Sequence, residues 1–409
     1  MTQAGIDPTR FAPLSPPPRL LLGPGPSPVH PRVLQALAAP TIGHLDPAFL
    51  ALMDELQSLL RALFRTENEL TFAVSGTGSA GMEACLVNVL EPGDRVVVGE
   101  NGVFGGRMAE IATRLGCDVV RVSVPFGQAL DPDAIAAALG TGKTKLLAVV
   151  HAETSTGVLQ SIPELTRLAR DAGALSLVDC VTSLGGVPVE IDEWGVDLAY
   201  SGTQKCLSCP PGLAPVTFSP RAVAVLRARR SKVSSWYLDA SMLLQYWGRE
   251  RVYHHTAPIN MLYALREAAL LLFEEGLPAV HARHRLHHRA LSAGLQALGL
   301  ELPVAEAVRI PQLNTVRIPQ LDTGRSPQAQ LDGELRGALL REHGIEIGGG
   351  LGAMKGRVWR IGLMGHGARR ESVERVLDAL ERELGRAGAG ITAGRALPAA
   401  RAIWESEER

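Results

Sequence analysis

From residue 71 onward the chain repeats one pattern: a short apolar, β-rich run, a turn, then a stretch with helical spacing. The runs are LTFAV, RVVVGE, CDVVRVSV, KLLAVV, ALSLVDC, VDLAYS and APVTFS. Strands separated by helical connectors pair through crossovers, so the rhythm predicts an α/β fold with a mostly parallel, seven-stranded sheet wrapped by helices. The connector PELTRLARDAG, residues 163–173, shows the logic: Pro163 suits a first helical turn, apolar residues recur at helical spacing, and Gly173 ends the helix.

At 409 residues the chain is too long for one small core. A proline-rich arm through residue 20, a large domain over 21–275, a smaller mixed α/β domain over 276–387 and a Gly/Ala-rich tail over 388–409 are expected. The link between the domains runs through two long helical patterns, NMLYALREAALLLFEEGL and AVHARHRLHHRALSAGLQALGL. An echo, VRIPQLNT at 308 and VRIPQLDT at 316, is too short for a solenoid and reads as neighbouring strand or loop segments. With 41 Lys plus Arg against 42 Asp plus Glu, the net charge is −1, and no basic block suggests nucleic acid or anionic membrane as a partner. No apolar run reaches membrane-spanning length, and five cysteines lack framework spacing. A small-molecule ligand and a cytoplasmic location are the expectations.

The stretch DLAYSGTQKCLSCPPG, residues 197–212, places Lys205 at a strand exit, where α/β folds keep reactive groups. An amine in a partly dry cleft loses its proton easily and can form a Schiff base. The alternative is a snorkelling loop lysine. Upstream, TFAVSGTGSAGMEACLVNVLEPGD reads as a strand, a glycine-rich turn and a helix opening near Ser79, with the Thr77 and Ser79 hydroxyls close to an anion site at the helix start. The same turn, Gly76 to Gly81, also satisfies G-x-G-x-x-G, with Glu100 at the next strand end, so a nicotinamide-dependent oxidoreductase is a rival reading. Asp179 closes the apolar strand ALSLVD, where a carboxylate is costly unless it caps a helix or meets a cation. A phosphate site, a strand-end Asp and a strand-exit Lys together describe pyridoxal 5′-phosphate, whose protonated ring nitrogen is the cation such an aspartate needs.

These residues also resemble a known family, the class V aminotransferases of fold type I, and within it the alanine–glyoxylate and serine–pyruvate group. The resemblance runs from about residue 20 to 387 and is carried by GPGP, SGTGSAGMEACLVNVLEPGD, NGVFGGR, HAETSTGVLQ, VDCVTSLGG, SGTQKCLSCPPG, YHHTAP and RIGLMG, in that order. It implies that Lys205 is the Schiff-base lysine, that Asp179 pairs with the pyridine nitrogen, and that Thr77, Gly78, Ser79 and Gln204 hold the phosphate. It puts Thr154 beside the ring, Phe104 in the stacking position, and Tyr253 and Thr256 on the phosphate of a neighbouring subunit's cofactor, in a homodimer with shared active sites. Arg360 would bind the substrate α-carboxylate, with Gly43 also at the substrate; a planar guanidinium grips a carboxylate by two parallel bonds as lysine cannot. Phe104 stands where tryptophan is often found, and Ser79 where histidine can occur.

Cys206-Leu-Ser-Cys209 is formally Cys-x-x-Cys but lacks a thioredoxin-like setting, so packing beneath the loop is expected. His281, His284 and His288 share a helical face and read as a solvated helix. The run Gly348 to Gly352 reads as a loop freed near Arg360. A cysteine desulfurase would need a late nucleophilic cysteine, and the last cysteine is Cys209. The expected activity is amino-group transfer from alanine or serine to glyoxylate or pyruvate, with another small amino acid or an aminophosphonate as the alternative on the same fold.

Overall fold

A computed structural model describes residues 7–320 and 328–407. The strands anticipated from the apolar runs form: β1 (Leu70–Ser75), β2 (Arg95–Glu100), β3 (Asp118–Ser123), β4 (Leu146–Val150), β5 (Leu175–Asp179), β6 (Leu198–Tyr200) and β7 (Leu213–Phe218). They make one sheet in the order β1-β7-β6-β5-β4-β2-β3, parallel except for β7, which is antiparallel to both neighbours. The central strands β4 and β5 are buried throughout, as expected of a sheet covered on both faces.

The order of strands removes the dinucleotide reading. In a doubly wound nucleotide fold the glycine-rich first strand lies inside the parallel sheet. Here, among the described residues, β1 is an edge strand paired only to antiparallel β7, and Glu100 bonds Arg121 and Ser123.

Helices cover the sheet. In α1 (Pro47–Phe64) the Asp46 carboxylate accepts the Ala48 N–H at 2.8 Å as a cap, and Phe49, Met53, Leu56, Leu60 and Leu63 form its buried stripe. Helices α2 (Gly78–Val89) and α3 (Val103–Arg114) follow β1 and β2. The connector helix spans Pro163–Asp171, and Gly173 takes a left-handed φ of 72° just beyond it.

Among the described residues two large hydrophobic cores lie along the chain, with a third, small cluster of Ala152, Cys206, Ile310, Leu313 and Met364. The first surrounds the sheet. The second gathers Leu291, Leu295, Trp359, Ile361, Val376, Leu380 and Trp404. Helix α4 (Ile259–Glu275) belongs to the first, and α5 (Leu277–Ala297) crosses from one to the other, with Leu277 and Val280 in the first core and Ala290 and Leu291 in the second. The second core packs α6 (Gln328–Glu342), α7 (Arg370–Arg386) and α8 (Ala396–Glu407) around an antiparallel sheet of β8 (Leu313–Arg317), β9 (Gly348–Gly349) and central β10 (Val358–Gly362).

Two readings change. The Gly/Ala-rich end is helical, and its Trp404 is buried with the Arg370 guanidinium over its ring at 4.6 Å. Helix α5 is not a solvated helix: His281 and His284 are buried and His288 half-buried, because it runs between the two cores. The echo is a strand and loop segment, as expected: β8 takes the end of the first copy and the start of the second, whose last residues lie outside the described ones.

Candidate active site

The parallel strands end level with one another: Val150 pairs in register with Asp179, and Asp179 with Tyr200. Ligands of open α/β sheets sit beyond such carboxyl ends, and Asp179 is there, 3% exposed. Its Oδ2 accepts the Tyr200 hydroxyl at 2.6 Å and its Oδ1 the Val181 N–H at 2.8 Å. Burial outweighs both bonds and pushes its pKa up to about 6.

Lys205 is buried, and its amine donates to the Pro24 carbonyl. Burial, aided by the Arg360 charge, lowers its pKa to about 8, a cost to the charged amine of about 3 kcal/mol relative to water. The loop over it, residues 24–27, directly follows the N-terminal arm. Ser27 donates its hydroxyl to the Lys205 carbonyl at 2.6 Å and its N–H to the Gln204 carbonyl at 2.8 Å. A Cβ on Gly25 would lie 2.6 Å from Lys205 Nζ, and Gly25 holds a φ of 114°, so only glycine suits that position.

The turn before α2 meets the loop before Lys205. A Cβ on Gly202 would lie 3.4 Å from the Gly78 Cα and 2.9 Å from Gln204 Oε1, which is buried without a partner. Thr77 is the N-cap residue but makes no side-chain cap bond; Thr77 and Ser79 are exposed, and the first N–H groups of α2 lack helical acceptors. The open N–H groups at the start of α2 are a place for an anion, and the Gln204 amide can add a donor there only through its Nε2, since Oε1 accepts.

Arg360 projects from β10 and is 5% exposed. Its Nε donates to the Gly349 carbonyl at 2.7 Å and its Nη1 to the Thr154 carbonyl at 2.9 Å. Burial pulls it down to about 10, which leaves it charged at neutral pH. Glu153 does not neutralise it: that carboxylate is taken by the N–H groups of Phe104 at 3.0 Å and Ser155 at 2.9 Å, which fastens the start of α3. Phe104 is half-buried, with Arg107 over its ring at 4.8 Å. Among the described residues neither Lys205 nor Arg360 has a carboxylate ion-pair partner.

One chain thus brings together Thr77, Gly78, Ser79, Thr154, Asp179, Gln204, Lys205 and Arg360. It leaves Tyr253, 58% exposed, Thr256 and Gly43 on its surface. The Tyr253 ring lies 5.3 Å from that of His44, beside Gly43, and His255 lies 3.0 Å from the Ser75 hydroxyl. Cys206 and Cys209 are buried and unpaired, their thiols pushed up to about 12 by burial. Sequence reading missed Pro24, Gly25 and Ser27 as the cover of Lys205, Tyr200 as the donor to Asp179, and Glu153 as the anchor of α3. The first three lie in or beside GPGP, and the others in DLAYS and HAETSTG. A ligand with a phosphate, a protonated ring nitrogen and an aldehyde would satisfy the helix start with Gln204, Asp179 and Lys205 in turn.

The class-V aminotransferase family profile matches residues 21–369, and the chain belongs to that family. The chain is 40% identical to the (S)-ureidoglycine–glyoxylate transaminase of Bacillus subtilis, across 96% of each chain. It is 42% identical to the alanine–glyoxylate aminotransferase of Callithrix jacchus, across 91% of this chain and 89% of that one. Among solved structures, the alanine–glyoxylate aminotransferase from Nostoc sp. superposes with a TM-score of 0.88 at 51% identity, covering 93% of this chain and 100% of its own.

Proposed function

We propose that this aminotransferase is a homodimer that uses pyridoxal 5′-phosphate to move an amino group from a small donor, alanine or serine, to a small 2-keto acid, glyoxylate or pyruvate. The observation that carries the reading is the pair of buried cations, Lys205 and Arg360, which lie near enough for the Arg360 charge to act on the Lys205 amine and have no carboxylate ion-pair partner among the described residues. Such a pair suits a substrate that is an anion at one end and reacts at the other.

When bound, the cofactor supplies an electrophilic carbon and a ring that accepts the electron pair released at the substrate α-carbon. Gln204 and the start of α2 would hold its phosphate, with Thr77 and Ser79 as hydroxyl donors. Asp179, ionised once a cation lies against it, would keep the ring nitrogen protonated. Phe104 and Thr154 would line the space for the ring. Arg360 grips the substrate α-carboxylate and orients the α-hydrogen toward Lys205. Lys205, poised near neutrality, would take that proton on its amine as a base and hold it there for return. Pro24 and Gly25 roof the amine and limit water. The keto acid then leaves, the acceptor enters, and the same groups act in reverse.

The exposure of Tyr253, Thr256 and Gly43 supports a site completed by a second chain. Cytoplasmic residence is our reading of five unpaired cysteines. A second donor reading, a ureido-bearing amine, is favoured by the 40% identity to the B. subtilis transaminase. The test is a half-reaction screen of alanine, serine and ureidoglycine followed by loss of the cofactor's visible absorption. A protein that takes up no pyridoxal phosphate would overturn the proposal.

A further inference from the structure

Arg360 belongs to β10 and Lys205 to the loop after β6, so their separation is set where the two cores touch. The turn Gly365–Gly367, five residues beyond Arg360, is such a contact, and side chains hold it from both sides. From α5, His284 Nε2 accepts the Gly365 N–H at 2.9 Å, while its Nδ1 lies 2.8 Å from the Val280 carbonyl. A carbonyl only accepts, so the ring is neutral with its hydrogen on Nδ1. Burial enforces this, lowering its pKa to about 3. Arg283, next to it, donates to the Gly365 and Ala368 carbonyls, each at 2.9 Å.

From the other side, Ser208 Oγ accepts the His366 N–H at 2.7 Å, and the Ser208 N–H donates to the Lys205 carbonyl at 3.0 Å. The fit leaves no slack. A Cβ on Gly365 would lie 1.9 Å from Ser208 Oγ and 2.6 Å from the Cys206 carbonyl, and Gly365 has a φ of 51°.

We infer that His284 and Ser208 are positioning residues which, through the Gly365–Gly367 turn, hold Lys205 and Arg360 at the separation that a short α-carboxylate substrate must span. The inference rests on the roles proposed above for Lys205 and Arg360. Neither His284 nor Ser208 touches substrate. Without the His284 acceptor, the Gly365 N–H keeps only the weak sulfur acceptor of Cys206 in a packed contact, and the turn must move to regain a full-strength partner. The guanidinium must reach a carboxylate whose other end is fixed at Lys205, so even a small slide weakens the grip on the substrate.

The experiment compares wild type, His284→Leu, His284→Gln and Ser208→Ala as pyridoxal phosphate holoenzymes. Three quantities are read: kcat and KM for alanine, the pH midpoint of the visible absorption of the lysine-bound cofactor, and the melting temperature. His284→Leu should raise KM about tenfold with a smaller change in kcat. It should also raise the spectral midpoint, because the Arg360 charge holds the Lys205 amine down. His284→Gln keeps an acceptor and should regain both values, and Ser208→Ala should move both in the direction of His284→Leu. A folded His284→Leu enzyme with a lower melting temperature but unchanged KM and midpoint would overturn the inference. If that variant does not fold, unchanged KM and midpoint in Ser208→Ala overturns it instead. Arg360→Lys is the control: if it leaves substrate affinity intact, the reading of Arg360 has failed; if it weakens affinity and the other variants do not, only this inference has.

Discussion

Tyr200 donates its hydroxyl to Asp179 at 2.6 Å across the β5–β6 register pair, so the strand ends hold the carboxylate in place without neutralising it. A buried carboxylate positioned in this way is poised for a cation, and its elevated pKa measures the cost of ionising it without one. Asp179→Asn should therefore cut turnover by about 100-fold or more while the cofactor-free protein melts no lower than wild type. The sign can be checked by pH. Because the folded pKa is raised from 3.8 to about 6, the contribution of Asp179 to stability is present at low pH and is lost as pH rises through about 6. In calorimetry of cofactor-free samples, the advantage of the Asn variant should grow over that window and then level off; an Asn variant destabilised at every pH would reject this account.

The neutral amine of Lys205 is its reactive form, and its fraction grows as pH rises through about 8. The rate at which cofactor-free protein captures pyridoxal phosphate should rise to a plateau with a midpoint near 8. Borohydride reduction of the loaded protein should leave the cofactor on the peptide containing Lys205. Recovery on another lysine would remove Lys205 from the mechanism.

Arg360→Lys keeps a charge but gives up the planar fork, and its shorter reach loses the bonds to the Gly349 and Thr154 carbonyls. Amino and keto acid substrates should both bind at least about tenfold more weakly, with cofactor occupancy unchanged. If spectroscopic titration showed the cofactor lost and substrate affinity kept, Arg360 would instead be a phosphate ligand.

Exposed Tyr253 and Thr256 lead to a complementation test. A Lys205→Ala chain and a Tyr253→Ala, Thr256→Ala chain should each be nearly inactive as homodimers. If phosphate contacts cross between subunits, the mixed dimer has one site with both defects and one with neither, and about half the normal sites recover. Verified mixed dimers with no recovered activity would assign those contacts to the chain that carries Lys205.

The sequence by itself determined the seven strands and the large elements around them, and it singled out Lys205, Asp179 and the Gly76–Ser79 turn as a candidate site. Each is a local signal: an apolar run limits where a strand can form, turn residues mark its exit, and a lysine or aspartate at that exit is legible without knowing its neighbours. Tertiary structure decided everything that depends on who the neighbour is. The string from Gly76 to Gly81 reads alike in a dinucleotide fold and in this one, and only the placement of β1 at the sheet edge separates them. The histidines of α5 have the spacing of a solvated face, yet two cores close over them. Pro24 and Gly25 cover an amine some 180 positions away, and Glu153 ties down α3 rather than pairing with Arg360. Strand order, burial and the partner of a charge come from contacts between distant segments, whose free energies depend on the packing of whole elements and leave no periodic trace along the chain.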